Sequence, residues 1–90
     1  MKELHLIISG RVQGVFYRHH ARKKAAELGV TGFVRNLPDG TVEVVAQGGK
    51  MQLTELMMWC RSGPDWAQVD DMKVEWRDVA AREFSGFEIR

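Results

Sequence analysis

Gly10-Arg11-Val12-Gln13-Gly14-Val15-Phe16-Tyr17-Arg18 is the stretch on which the reading of this chain turns. An apolar segment, Leu4 to Ile8, runs into it, and a segment of helical spacing, Arg18 to Leu28, runs out of it. Two glycines frame a turn that can aim backbone N–H groups inward, and an arginine stands where the helix begins. Loop amides, a helix N-terminus and a guanidinium meeting at one point make a pocket for a phosphate-sized anion. Gly10 and Gly14 are the glycines expected to matter there, because close approach of backbone to an anion requires a missing Cβ.

The elements on either side follow from periodicity. Leu4, Leu6 and Ile8 alternate with His5, Ile7 and Ser9, as in a strand with one buried face. Tyr17, Ala21, Ala25 and Leu28 fall on one side of a helix that Gly29 ends. Val30 to Asn36 and Thr41 to Gln47 are rich in β-branched and apolar residues, and Leu37-Pro38-Asp39-Gly40 between them carries turn chemistry, so the pair reads as a hairpin. Met51 to Arg61 has helical spacing, with Leu53, Leu56, Met57 and Cys60 inward and Gly63-Pro64 as the stop. Met72, Val74 and Trp76 alternate with Lys73, Glu75 and Arg77 as a further strand, and Phe87 to Arg90 gives a short last one. The order is β-α-β-β-α-β plus a short fifth strand. That predicts an α+β, ferredoxin-like split β-α-β fold, with an antiparallel-containing sheet and two helices on one face.

Ninety residues give one domain, residues 1–90, with little room for a second core. Thirteen basic and twelve acidic residues leave a formal net charge of +1, so no bulk field draws the chain to nucleic acid or membrane, and any anion preference is local. Cys60 is the single cysteine, which excludes an internal disulfide and reads as a small buried side chain. No apolar stretch approaches a secretory leader or a membrane span, so a cytoplasmic location is expected. A monomer is expected by default, with a short edge strand as the surface that could pair.

A second stretch, Gly32-Phe33-Val34-Arg35-Asn36, continued by Asp39-Gly40-Thr41-Val42-Glu43, ends a strand in a polar amide just before the turn. Together with the first, it makes the chain resemble the acylphosphatase family along essentially its whole length. The resemblance implies a small ferredoxin-like enzyme that hydrolyses acyl phosphates to a carboxylate and inorganic phosphate, without metal or organic cofactor. It places the catalytic arginine on Arg18, the catalytic asparagine on Asn36 and the phosphate cradle on Gln13, Gly14, Val15, Phe16 and Tyr17, together with Arg18. Tyr17 departs from the phenylalanine usual before the arginine, and the pair His19-His20 is not a family hallmark. The chemistry agrees. Arg18 offers planar bidentate donors to phosphate oxygens. Asn36 can hold a water through its carbonyl and amide, although it cannot act as a base near neutral pH.

Other readings remain beside this one. Asn36 also suits the turn before Leu37-Pro38. Arg11 sits in the loop and either adds potential to the pocket or faces solvent. Adjacent His19 and His20 point about 100° apart on a helix, without the spacing of a metal site. His5 reads as a satisfied structural residue, Arg22, Lys23 and Lys24 as a solvated face, and Trp59, Trp66 and Trp76 as core or rim packing. A nucleic-acid-binding module would need aromatics on two central strands, and Phe33 is the one candidate on the hairpin. A regulatory domain that binds phosphate without turnover is the third alternative. A chain that starts at Met1 and reaches the last strand favours a free-standing enzyme.

Overall fold

The computed structural model describes residues 1–90. Its elements, in chain order, are β1 (Lys2–Arg11), α1 (Tyr17–Leu28), β2 (Thr31–Asn36), β3 (Val42–Gly48), α2 (Lys50–Ser62), β4 (Gln68–Asp78) and β5 (Phe87–Ile89). The sheet order is β4-β1-β3-β2-β5. β1 pairs antiparallel with β3 and with β4, β2 pairs antiparallel with β3, and β5 joins the outer edge of β2 in parallel. Each β-α-β unit is thus split by a strand of the other, as the element order predicts.

The alternation decides which face is buried. Leu4, Leu6 and Ile8 of β1 and Val42, Val44 and Ala46 of β3 point to one side. There they form a single core with Tyr17, Ala21 and Ala25 of α1 and Leu53, Leu56 and Cys60 of α2. Burial pushes the Cys60 thiol up to about 12, so this sulfur is inert packing. α1 ends as its glycine predicts: Gly29 is left-handed, and its N–H caps the carbonyls of Ala25 and Ala26.

The other face of the sheet carries ion pairs. Glu3 accepts from Arg77 on β4 and from the Gln47 side chain on β3. Glu43 accepts from Arg35 at 2.5 Å and lies 2.7 Å from His5 Nε2, so His5 is a satisfied structural residue. The segment between β4 and β5 folds back over this face. Glu83 binds Gln47 through both side chain and backbone, and Phe84 packs edge-on against Phe33 with ring centroids 5.9 Å apart.

Three sequence expectations are corrected here. β1 and β4 run longer than the apolar alternation, so Arg11 is an exposed strand residue opposite Gln68, not part of the loop. Gly10 lies at a shift in the β1–β4 register, where a Cβ would fall 2.2 Å from the Gln68 carbonyl oxygen; its small size serves strand packing, not an anion. Trp66 lies in the loop after α2 and is 76% exposed, while Trp59 is half-buried against Tyr17 and Trp76 stands at the β4 edge.

Two outcomes follow from this packing. Gly32 has φ +141°, and a Cβ on it would meet the Val45 carbonyl oxygen at 1.9 Å, whereas Gly86 opens to free space. Gly32→Ala therefore costs about 3 kcal/mol or more, and Gly86→Ala changes stability by less than about 0.5 kcal/mol, both read from urea midpoints. The second outcome concerns acid. The hydrogen bond from Arg77, against the opposing effect of burial, holds the Glu3 carboxyl below its ordinary 4.5. Burial pushes Glu43 up, but hydrogen bonds from His5 and Arg35 outweigh it and hold that carboxyl low as well. A carboxyl lowered in the fold adds stability that is complete above its unfolded value and is lost as pH falls through the folded one. The share of stability owed to these two carboxyls is then constant above about pH 4.5 and declines below it. Glu3→Gln makes that decline shallower in urea titrations at stepped pH.

Candidate active site

The turn between β1 and α1 is built from unusual backbone. Gly14 has φ +74°, and Phe16 has φ +62°, the one non-glycine residue in the left-handed region. Such a conformation costs a phenylalanine on the order of 1–3 kcal/mol, and the surrounding contacts must hold it there. What it achieves is a row of free donors. None of the N–H groups from Gln13 to Phe16 donates a hydrogen bond within the protein, and the first N–H groups of α1 are free as at any helix start. Phe16 occupies the N-cap position with no side-chain cap, and its carbonyl accepts from His20 N–H at 3.1 Å.

Beside this turn lies a cavity of about 280 Å³. Gly14, Arg18 and His19 supply its polar side, and Val12, Phe16, Tyr17 and Ile89 its apolar side. No carboxylate lines it. Arg18 is half-buried and takes part in none of the ion pairs of the fold, so its guanidinium is not consumed by an internal anion. No group of three or more His, Cys, Asp or Glu side chains is arranged to hold a metal ion.

The residues singled out in the sequence divide into those that line the cavity and those that support it. Gly14, Phe16, Tyr17 and Arg18 line it; Gln13, Val15 and Asn36 do not. Val15 packs against the core. Gln13 turns away and donates both amide hydrogens to the hairpin, at 2.9 Å to the Leu37 carbonyl and 2.9 Å to the Thr41 carbonyl. Asn36 is a paired strand residue opposite Val42, so it is not the turn residue that its place before Leu37-Pro38 allowed. Alternation puts it on the helix-facing side of β2 with Val34. Its Oδ1 is buried and makes no hydrogen bond in the protein. The turn itself is closed by Asp39, whose Oδ1 accepts from the Thr41 N–H and hydroxyl.

The structure also supplies what the sequence reading missed. The Tyr17 hydroxyl donates to the Cys60 carbonyl at 2.6 Å, tying the first turn of α1 to α2; burial pushes the phenol far above its ordinary range and keeps it a donor. Ile89 reaches the cavity because β5 pairs beside β2, placing Ile89 opposite Val34. The two histidines part company: His19 lines this cavity, and His20 lines another with Trp59, Pro64 and Trp66.

The acylphosphatase family model matches residues 4–89. The chain belongs to that family. It is 49% identical over 89 residues to the acylphosphatase of Methylococcus capsulatus, covering 99% of this chain and 96% of that one. It is 52% identical over 83 residues to the acylphosphatase of Marinobacter nauticus, covering 92% and 89%. Its structure is similar to the crystal structure of acylphosphatase from Bacillus subtilis, with a TM-score of 0.94 at 29% identity over 100% of this chain and 99% of the other. The protein is accordingly a hydrolase of the acylphosphatase type with the ferredoxin-like fold. No helix is long and apolar enough to cross a membrane.

The Gln13 contacts carry a test of their own. Both partners are carbonyls, so the side chain must present its amide hydrogens. Gln13→Ala removes two hydrogen bonds, but each carbonyl keeps a backbone partner, which makes the cost about 1–2 kcal/mol. Gln13→Glu sets a carboxylate against two carbonyl oxygens and costs more than the alanine change. Urea midpoints at constant m-value check the order.

Proposed function

We propose that the protein hydrolyses the carboxyl–phosphate bond of acyl phosphates, giving a carboxylate and inorganic phosphate, as a metal-free monomer in the cytoplasm. Arg18 and the amides of Gln13 to Tyr17 bind the phosphoryl group, and Asn36 orients the attacking water. The observation that carries this reading is the row of free N–H groups beside an arginine with no internal partner, at a cavity without a carboxylate. Phosphoryl transfer spreads charge over equatorial oxygens, and fixed donors aimed at them supply most of the stabilisation. Arg18 answers two oxygens at once with parallel N–H groups. The dipole of α1 adds about 0.3–1 kcal/mol for an anion at its start.

The leaving group explains why no general acid is needed. A carboxylate whose conjugate acid has a pKa of roughly 4 to 5 departs without a proton. Water is the nucleophile. Asn36 supports the positioning role as a half-buried carboxamide at the end of β2, a group that can both donate to and accept from a water. The water's second proton passes to a phosphoryl oxygen of the substrate, because Asn36 cannot accept it. Charged Lys73, Glu75 and Arg77 on the edge strand β4 support the monomer by opposing edge-to-edge pairing.

The test is hydrolysis of benzoyl phosphate by the purified protein in excess EDTA. Turnover survives the chelator and is competed by inorganic phosphate. Asn36→Ala lowers kcat by about 10²–10³, in line with the loss of one fixed donor, and leaves the phosphate inhibition constant within about threefold of the parent. Arg18→Ala damages both. Equal loss of phosphate binding in the two variants would overturn this division of roles. Phosphate binding with no turnover in the parent protein would replace the enzyme reading with a binding domain.

A further inference from the structure

The cavity beside Arg18 is larger and more apolar than a phosphoryl group requires. The four oxygens of a phosphate displace on the order of four waters, roughly 120 Å³, and the cavity holds about 280 Å³. The space beyond Gly14 and Arg18 is bounded by Phe16 and Ile89, which come from opposite ends of the chain. Both are large apolar side chains left open to solvent, Phe16 at 73% and Ile89 at 38% exposure. Phe16 has left-handed backbone, and its ring is not part of the core. Ile89 is brought to the cavity by parallel pairing with Val34. Apolar side chains that line the same cavity as a guanidinium match a ligand with a charged end and an apolar end.

We propose that Phe16 and Ile89 form the wall that receives the acyl group, so that the enzyme favours aromatic or branched apolar acyl phosphates over acetyl phosphate, and that Ile89 is a specificity-determining residue for that choice. This rests on the acyl phosphate reading above. The phosphoryl end is common to all substrates and stays with Arg18 and the loop amides, so the wall acts on the acyl side alone. Desolvating an apolar group against it stabilises the bound substrate and transition state by an amount set by the area covered. Acetyl phosphate presents one methyl and covers little of the wall. A benzoyl ring offers several times that apolar surface to Phe16 and Ile89.

The experiment measures kcat/KM for benzoyl phosphate and for acetyl phosphate with the parent enzyme, Ile89→Ala, Ile89→Asp and Phe16→Asn. Asparagine tolerates the left-handed backbone and so removes the ring without remaking the turn. The reading is each variant's benzoyl-to-acetyl ratio divided by that of the parent, which cancels the intrinsic reactivity of the two anhydrides. The ratio falls about threefold or more in Ile89→Ala and about tenfold or more in Ile89→Asp, while inhibition by inorganic phosphate stays within about threefold in Ile89→Ala. Phe16→Asn lowers the ratio in the same direction and keeps the proposal testable if the β5 variants unfold. An unchanged ratio in folded variants, including one in which both substrates weaken equally, overturns the acyl wall and leaves the hydrolase reading intact. A parent enzyme that cleaves neither substrate overturns that reading, and this one with it.

Discussion

The side-chain amide of Gln13 is the contact on which the site depends. The turn before α1 is a loop whose own N–H groups are left unpaired, so it cannot be held in shape by its backbone. It must be held from outside. Gln13 does this by donating to two carbonyls of the β2–β3 connection. The same two bonds fix the loop relative to the strand that ends in Asn36. A donor row and an acceptor belonging to different elements are thereby referred to one framework. Tyr17 adds a second anchor through the Cys60 carbonyl of α2, and Val12 and Val15 add a third through the core. The side chains of Val12, Gln13 and Val15 support the turn, while its backbone donors stay free.

The two faces of the sheet divide the work. The helix-facing side is apolar and positions α1, hence Arg18. The opposite side is charged, and every charge named there has a partner. Burying most of a carboxylate side chain is tolerable when it gains hydrogen bonds to cationic donors, as Glu3 and Glu43 do. This polar face also holds the end of the chain. Phe84 lies on Phe33, and the Arg90 guanidinium sits 4.4 Å from the Phe33 ring centroid, an arrangement in which a cation and the ring face attract. β5 is only three residues long. Its parallel pairing with β2 is supported by these contacts on the far side of the sheet, and that pairing is what delivers Ile89 to the cavity on the near side.

Much of this was legible in the residues. Alternation at Leu4, Leu6 and Ile8 and the stripe Tyr17, Ala21, Ala25 predict the buried faces, because burial on one side writes a period into the sequence. The hairpin is equally plain from Pro38-Asp39-Gly40. What the period cannot carry is the purpose of a single polar or glycine residue. Gly10 and Gly14 look alike in the sequence, yet one is demanded by the Gln68 carbonyl across the sheet and the other by a turn open to solvent. Gln13 belongs to the cradle by position, but its side chain serves the hairpin, a fact that depends on a contact 24 positions away. Ile89 carried no signal at all, since its place beside the cavity follows from strand order and not from spacing.

Most of the residues that resist local rules belong to the turn before α1. A phenylalanine stands in left-handed backbone, a helix starts without a side-chain cap, and a run of amides has no internal partner. An arginine nearby has no carboxylate, and an asparagine oxygen is buried without a hydrogen bond. The left-handed phenylalanine and the unpaired asparagine oxygen are unfavourable for folding by themselves, and elsewhere in this chain such needs are met: Glu3 has Arg77, Asp39 caps its own turn, and Gly29 closes α1. An anion in the cavity would give the amides and the arginine a common partner. On the proposed reading, the turn amides and Arg18, which have no partner in the protein, meet a phosphoryl group without first breaking an internal bond.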